Sequence, residues 1–248
     1  MRTARISYGG AIHEAFEWEG RLKLDDGRIV EEKDVVWLTP IVPRTVFALG
    51  LNYADHAAEL AFDAPSEPLV FLKGPNTFIG HQGTTRRPAD VSYMHYECEL
   101  AVIIGKTARN VKKENAYNYI KGYSVANDYA IRDYLENYYR PNLRVKNRDT
   151  CTPFGPWLVE AADVADPMDL KLTTHVNDEL VQQGTTKDMI FDIPTLIEYL
   201  SSFMTLSEND VILTGTPKGS VDTVVGDVVI TEVEGIGRLI NTIIGDES

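Results

Sequence analysis

The sequence is poor in cysteine and in long apolar stretches. Only two of its 248 residues are cysteines, Cys98 and Cys151, and they lack the spacing of a metal-binding motif. We therefore expect reduced core thiols in a cytoplasmic protein rather than a disulfide framework. No apolar run approaches the ~20 residues that a membrane helix needs. Residues 1 to 6 also lack the apolar core of a signal peptide, so we expect neither a secreted nor a membrane-spanning protein.

Positive charge is also scarce. The chain has 24 lysines and arginines against 37 aspartates and glutamates, which gives a net charge of −13. This balance argues against nucleic acid or an anionic membrane as a partner. It does not exclude a small anionic substrate, provided that a metal or local cations reverse the field. The hydrophobic fraction of 44% is ordinary for a globular protein.

Several well-known functional motifs are missing as well. The sequence contains no GxGxxG fingerprint after a predicted strand, no phosphate-binding P-loop and no Gly-x-Ser-x-Gly motif. Dinucleotide binding, nucleotide hydrolysis and serine-hydrolase chemistry are therefore disfavoured. We also find no internal repeat, so solenoid and propeller folds are disfavoured.

The order of predicted elements indicates a mixed α+β fold that is mainly β. We predict that residues 1 to 42 form a small β-rich appendage with a hairpin turn at Asp25, Asp26 and Gly27, and that residues 43–248 form the main domain. Strands outnumber helices after residue 70. The predicted helices cover residues 112–120, 131–139 and 192–203, the last with Asp192 as its N-cap.

The central feature of the sequence is a buried strand that begins with two carboxylates. Leu100 to Ile104 is an apolar, β-branched run, and Glu97 and Glu99 project from one face because side chains alternate along a strand. Such a pair either binds a divalent metal or faces water at the strand end, and these residues alone favour neither. Asp128 follows the next predicted strand and provides a third carboxylate. Its alternative role is to cap the predicted helix over 131–139.

A second polar pair lies on a short predicted helix. His56 and Glu59 are three residues apart and therefore neighbours on one helical face. A histidine beside a carboxylate can act as a general base, but without further evidence a surface pair is the better interpretation.

Together these pieces resemble the fumarylacetoacetate hydrolase superfamily over residues 45 to 245. The matching motifs, quoted as they stand in the chain, are Gly50-Leu51-Asn52-Tyr53-Ala54-Asp55-His56, Glu97-Cys98-Glu99, Asp128 with Arg132, Lys146 with Asp149-Thr150, and Thr214-Gly215-Thr216-Pro217. The resemblance implies that residues 43–248 are the catalytic domain, with a fumarylacetoacetate-hydrolase-like rolled β-sheet fold, and that the protein is a homodimer.

The same resemblance implies roles for individual residues. Glu97, Glu99 and Asp128 would hold Mg²⁺ or Mn²⁺, and Lys146 would be the catalytic lysine. His56 and Glu59 would form a dyad on a lid segment over residues 52 to 65. Arg132 and Thr216 match positions that contact substrate.

Within the superfamily, residues 127 to 157 are most similar to the enzymes of homoprotocatechuate (4-hydroxyphenylacetate) degradation. That similarity implies decarboxylation of 5-oxopent-3-ene-1,2,5-tricarboxylate and isomerisation of 2-hydroxyhepta-2,4-diene-1,7-dioate, through a dienolate stabilised by the metal and Lys146. The substrate would be a small anionic 2-oxo or 2-hydroxy dicarboxylate or tricarboxylate. Its far carboxylate would bind Arg140, Arg144 or Arg148.

Three alternatives to this function stay open. They are hydrolysis of an acylpyruvate such as fumarylpyruvate, an oxaloacetate-type decarboxylase, and a catalytically silent dimeric binding protein. Hydrolysis is disfavoured by Leu135, because the hydrolases often carry glutamine at that position. A catalytically silent binding protein is disfavoured because a structural metal site needs neither Lys146 nor the His56–Glu59 pair.

Overall fold

The computed structural model describes residues 1–59, 65–135 and 143–246 of the chain, and strands dominate it. The strands are β1 (Arg2–Tyr8), β2 (Ala11–Trp18), β3 (Arg21–Leu24), β4 (Ile29–Val30), β5 (Val36–Trp37), β6 (Val46–Gly50), β7 (Leu69–Lys73), β8 (Phe78–Ile79), β9 (Gly83–Arg87), β10 (Met94–His95), β11 (Cys98–Ile104), β12 (Ile120–Asn127), β13 (Ala130–Ile131), β14 (Thr152–Glu160), β15 (Lys171–Val176), β16 (Glu179–Thr185), β17 (Val211–Leu213), β18 (Val228–Val233) and β19 (Gly237–Gly245). The prediction of a mixed, mainly β fold is confirmed.

Helices are short and few within these described ranges. The α-helices are α1 (Ala54–Glu59), α2 (Leu143–Lys146) and α3 (Ile193–Phe203). The 3-10 helices cover Glu32–Asp34, Pro75–Thr77, Lys113–Tyr119, Arg132–Tyr134, Ala161–Asp163 and Thr186–Asp188. None of the described helices combines the length and the apolar character that crossing a bilayer requires.

One large sheet forms the centre of the molecule. Its strand order is β4-β3-β2-β1-β14-β12-β11-β17-β6-β7, with β5 paired to β1 and β8 paired to β14. Strand β11 lies between β12 and β17, and each of its seven residues is buried. That burial on both faces explains why the sequence of β11 is a continuous apolar run after its first two residues.

A second sheet has five strands in the order β16-β15-β18-β19-β9. Strands β15 and β16 form a hairpin whose turn contains Asn177 and Asp178, with φ angles of +51° and +70°. Positive φ at both central residues is the backbone of a type I′ turn, which asparagine and aspartate tolerate well.

Two of the helix predictions have opposite outcomes. Helix α3 forms as predicted, and the Asp192 side chain accepts a hydrogen bond from the Thr195 N–H. The helix predicted over residues 131–139 is wrong where it is described, because β13 and a 3-10 turn replace it through residue 134. Strand β13 pairs with β10, and this tertiary pairing competes with the helix. Residues 136 to 139 lie outside the described residues.

The N-terminal strands extend the large sheet. Strands β3 and β4 pair as an antiparallel hairpin around the predicted turn, and β1 pairs with β14. Their β-rich character is confirmed, whereas the division of the chain at residue 42 stays a prediction. The two cysteines, Cys98 and Cys151, are buried and free, as predicted.

Candidate active site

Three carboxylates meet where β11 begins and β12 ends. Cys98 is paired with Asn127 and Glu99 with Ala126 in this antiparallel ladder. The Asp128 N–H then donates to the Glu97 carbonyl over 2.9 Å, which places the two acids opposite each other. One oxygen from each of Glu97, Glu99 and Asp128 lies within 4.8 Å of the others. The three acids therefore lie together, and strand β13 stands where Asp128 was the alternative helix cap. Their role as metal ligands stays a prediction.

Two buried lysines contact the cluster. The Lys146 ammonium, at the end of α2, donates to Glu97 Oε2 at 2.5 Å and to Asp128 Oδ2 at 2.9 Å. On the other side, Lys73 Nζ donates to Asp128 Oδ1 at 2.5 Å and also to the Lys146 carbonyl. Both ammonium groups are almost entirely removed from solvent. Asp128 is therefore held between two cations, one on each carboxylate oxygen.

Burial and charge act in opposite directions on the pKa values of this group. Burial raises the pKa of Glu97, but the nearby Lys146 ammonium opposes this and holds the pKa below the ordinary glutamate value. Burial lowers the pKa of Lys146, but the charges of Asp128 and Glu97 outweigh it and raise the pKa above the ordinary lysine value. Lys146 is therefore an ammonium ion and not a proton acceptor in this arrangement.

Glu99 is the one member of the cluster without a cationic partner among the described residues. Burial, followed by the charges of Asp128 and Glu97, raises the pKa of Glu99 well above its usual value. Its Oε2 accepts from the Gly215 N–H at 2.7 Å, whereas Oε1 is buried without a hydrogen-bond partner in the described ranges. A buried carboxylate oxygen left unpaired is costly unless a ligand completes it.

A divalent metal fits this donor set. Three carboxylates with free lone pairs, grouped on one side of the ladder, are hard oxygen ligands of the kind that Mg²⁺ and Mn²⁺ prefer. The unpartnered Oε1 of Glu99 lies within the same cluster of ligand atoms. A cation there would compensate the charge that the two lysines leave unbalanced.

A glycine-containing loop connects this cluster to the predicted dyad. His56 is buried, and its Nδ1 lies 3.2 Å from Glu59 Oε2. The loop over residues 214–219 contacts both parts, since its Gly215 N–H donates to Glu99 and its Gly219 N–H donates to Glu59 Oε1 at 3.2 Å. The interpretation of His56 and Glu59 as a mere surface pair is therefore disfavoured.

Close packing requires glycine at position 215 of this loop. The φ angle of Gly215 is +89°, and a Cβ atom there would lie 2.9 Å from the Cβ of Asn52. Asn52 does not cap α1 with its side chain. It bonds instead to the backbone of Phe191 and Thr214, which holds this loop beside the start of α1.

The predicted substrate contacts, Thr216 and Arg132, occupy two different environments. Thr216 follows Gly215 and is buried. Arg132 donates from Nε to His95 Nε2 at 2.6 Å, and His95 Nδ1 lies 3.0 Å from the Tyr96 carbonyl. Burial lowers the pKa of His95 to about 3, so the ring is neutral and accepts from Arg132.

The arginines proposed for a distal carboxylate differ in their surroundings. Arg148 is paired with Asp246 at 3.1 Å, and the guanidinium of Arg144 lies 3.7 Å from the centroid of the Tyr134 ring. Arg140 lies outside the described residues, as do residues 60 to 64 of the predicted lid. Which of these arginines contacts a ligand stays a prediction.

Sequence reasoning missed two residues of the site. His95 lies two residues before Glu97, so it continues the alternation of Glu97 and Glu99 toward the N-terminus. Extending this two-residue period by one step would have included His95. Lys73 ends an apolar strand, where a lysine is ordinarily solvated. No local signal distinguishes it, because its partner Asp128 lies 55 residues further along the chain.

Comparison with known proteins gives consistent matches. A family model described as "Fumarylacetoacetate (FAA) hydrolase C-terminal" matches residues 45–244. A 4-hydroxyphenylacetate degradation bifunctional isomerase/decarboxylase from Salmonella dublin is 64% identical over 204 residues, which is 82% of this chain and 48% of that protein. The chain thus spans about half the length of this curated relative.

Two solved structures cover this chain fully and are covered fully by it. One is 2-hydroxyhepta-2,4-diene-1,7-dioate isomerase from Mycobacterium marinum, with a TM-score of 0.86 and 34% identity. The other is maleylpyruvate hydrolase from Sphingobium sp. SYK-6 in complex with manganese (II) ion and pyruvate, with a TM-score of 0.85 and 27% identity.

Proposed function

Because the chain belongs to the fumarylacetoacetate hydrolase family, we propose that it catalyses two reactions of 4-hydroxyphenylacetate (homoprotocatechuate) degradation. These are the decarboxylation of 5-oxopent-3-ene-1,2,5-tricarboxylate and the isomerisation of 2-hydroxyhepta-2,4-diene-1,7-dioate. The similarity to a bifunctional isomerase/decarboxylase over most of this chain supports the pair of reactions.

The observation that carries this proposal is the buried cluster of Glu97, Glu99 and Asp128 beside Lys146. A Mg²⁺ or Mn²⁺ ion held by the three carboxylates would supply Lewis-acid polarisation to the oxygens of a 2-oxo acid. The manganese and pyruvate bound by the maleylpyruvate hydrolase support both the kind of metal and the kind of ligand.

Lys146 provides a fixed positive charge next to the reacting group. When CO₂ or a proton leaves a 2-oxo acid, negative charge spreads over a dienolate, and decarboxylation and isomerisation share this species. An ammonium group that is already positioned and buried stabilises such developing charge without reorganisation. The raised pKa of Lys146 keeps it in the charged form that this role needs.

The proton shift of the isomerisation needs an acid and a base in addition. His56 is buried, and its Nδ1 is oriented by Glu59 at 3.2 Å, which leaves Nε2 for proton transfer. The same pair would activate a water molecule in a hydrolase. Hydrolysis of an acylpyruvate is therefore the second candidate, and it is favoured by the structural similarity to maleylpyruvate hydrolase.

The test is a parallel assay of the purified chain with Mg²⁺ or Mn²⁺. We expect CO₂ release from the tricarboxylate and an ultraviolet change from isomerisation of the dienoate, both abolished by chelation of the metal. Fumarylpyruvate serves as the hydrolase substrate. Cleavage of fumarylpyruvate without any CO₂ release from the tricarboxylate would replace this proposal by the hydrolase.

The family resemblance also leads us to propose a homodimer. Sedimentation equilibrium of the full chain tests this, with a mass of twice 27.7 kDa as the expected result. A purely monomeric species at micromolar concentration would contradict it.

A further inference from the structure

The loop over residues 214–219 contains a hydroxyl whose orientation the neighbouring strand determines. Gly215 bonds to Glu99 of the carboxylate cluster, and Gly219 bonds to Glu59 of the histidine pair. Thr216 and Pro217 therefore lie in the stretch of backbone between the two parts of the candidate site. Thr216 is 3% exposed, so any partner of its hydroxyl must come from the protein or from a ligand enclosed in the site.

Gln182 of β16 contacts this stretch with both hydrogens of its amide. Its Nε2 lies 2.8 Å from the Pro217 carbonyl oxygen and 2.9 Å from Thr216 Oγ1. Its Oε1 accepts from the Thr174 hydroxyl at 2.9 Å, across the β15–β16 ladder. Gln182 itself is 2% exposed, and Thr174 is fully buried.

These contacts fix which end of the amide faces Thr216. A carbonyl oxygen such as that of Pro217 only accepts, so the amide nitrogen, and not the amide oxygen, must face it. The second hydrogen of that nitrogen then points at Thr216 Oγ1. Because Thr216 accepts this bond, its own hydroxyl hydrogen remains available. Within the described residues the Thr216 hydroxyl donates no hydrogen bond.

Packing of the Pro217 ring on Gly184 holds the strand and the loop close together. A Cβ atom added to Gly184 would lie 2.4 Å from the Cβ of Pro217, so the Pro217 ring packs directly on Gly184 and leaves no room for a side chain there. Gly184 and Gln182 lie two residues apart and share one face of β16. The intervening Gln183 faces the other way and is exposed.

We propose that Gln182 is a positioning residue that occupies one lone pair of the Thr216 hydroxyl and so orients its hydrogen to donate to a carboxylate oxygen of the bound ligand. The inference rests on the proposed function, since it requires an anionic 2-oxo acid beside Thr216. A hydroxyl hydrogen oriented in this way donates to a carboxylate oxygen, which only accepts, in a charge-assisted hydrogen bond. Gln182 thus favours an anionic oxygen at this position through Thr216.

The experiment is a double-mutant cycle read out by binding. Isothermal titration measures the affinity for oxalate, a non-reacting mimic of a 2-oxo acid, at saturating Mg²⁺. Thr216→Val removes the donor and should weaken oxalate binding by about 10- to 100-fold, because a hydrogen bond to a charged group is lost. Gln182→Glu should weaken it by about 10-fold or more. A glutamate has at most one hydrogen for two acceptors, and when ionised it accepts from Thr216.

Coupling between the two positions separates positioning from a general structural role. In the Thr216→Val background, Gln182→Glu should change oxalate affinity by less than about twofold. Thr216→Ser keeps the hydroxyl, so Gln182→Glu should again weaken oxalate binding in the Thr216→Ser background. Gln183→Glu makes the same chemical change on the adjacent exposed residue and should leave the affinity unaltered. If Gln182→Glu does not fold, Gln182→Met removes the donors without a charge and enters the same cycle.

The outcomes distinguish the inference from its premise. Equal losses from the Gln182 substitution in the wild-type and Thr216→Val backgrounds would overturn the positioning role while leaving the proposed function intact. Wild-type protein that binds no oxalate with Mg²⁺ would overturn the proposed function and this inference together. A loss confined to backgrounds with a hydroxyl at position 216 supports the inference.

Discussion

The ion pair between Lys73 and Asp128 provides the sharpest test of the energetics of the site. Lys73→Met keeps the length and apolar stem of the side chain but removes its charge and its hydrogen bonds. The Lys73 and Asp128 side chains are both 0% exposed, and their charged atoms are 2.5 Å apart. Breaking a buried pair by removing one partner costs about 3–5 kcal/mol of unfolding free energy, because the remaining charge stays buried.

The structure places the expected value at the lower end of that range. Lys146 still donates to the other oxygen of Asp128 at 2.9 Å, so the carboxylate keeps one cationic partner. We therefore expect a loss of about 3 kcal/mol. For a chain of this size such a loss lowers Tm by about 6–12 °C. Metal should reduce the loss, since a cation held by Asp128 replaces part of the missing charge.

The matched control is a surface pair of similar geometry. Lys187 Nζ lies 2.7 Å from Asp169 Oδ1, but both side chains are more than half exposed. Lys187→Met should leave the unfolding midpoint unchanged within error, because water screens such pairs. Thermal and urea unfolding, each with and without Mg²⁺, measure both variants. Similar destabilisation of the two variants, or none in Lys73→Met, would refute the argument from burial.

Three further predictions concern activity. Glu99→Ala should abolish Mg²⁺-dependent CO₂ release while circular dichroism shows a folded chain. The control Glu208→Ala, on the exposed surface, should be fully active. Full activity of Glu99→Ala at low Mg²⁺ would contradict the assignment of Glu99 as a metal ligand. Lys146→Ala should slow turnover of the tricarboxylate by about 10²–10³-fold, because one group that stabilises the developing negative charge is lost. A change below tenfold would contradict the role of Lys146 in stabilising that charge. His56→Ala should retain measurable CO₂ release but slow isomerisation, as measured by the ultraviolet assay, because only the proton shift needs a base and an acid. Equal loss of both reactions would contradict a role of His56 in isomerisation alone.

The carboxylate cluster could be predicted because its signals are local and periodic. The apolar run after Glu99 identifies a buried strand, and the alternation along it puts Glu97 and Glu99 on one face. Asp128 follows the next strand, so an antiparallel return suffices to bring it opposite Glu97. None of these steps depends on a tertiary contact that lacks a local sequence signal.

The remainder of the site depends on tertiary contacts without a local signal. The helix predicted after Asp128 is replaced by a strand because residues 94–95 pair with residues 130–131. The side chain of Asp133 also accepts from the N–H groups of Ser92 and Tyr93, which fixes the turn that follows. Helix propensity is weak compared with such pairing. For the same reason, Lys73 and Gln182 are recognised only once their distant partners are known.

Charge balance within the buried cluster limits the ligands that it can retain. The ammonium groups of Lys73 and Lys146 compensate two of the three carboxylates. Glu99, whose Oε1 has no partner in the described chain, would carry the remaining negative charge in its ionised, metal-binding form. A divalent cation would change that deficit into an excess of one positive charge. An anionic 2-oxo acid would then be attracted to the site, whereas a neutral carbonyl compound would gain little. The two lysines would therefore do more than neutralise the proposed metal ligands, because without them the same cation would leave the cluster negative and unfavourable for a carboxylate ligand.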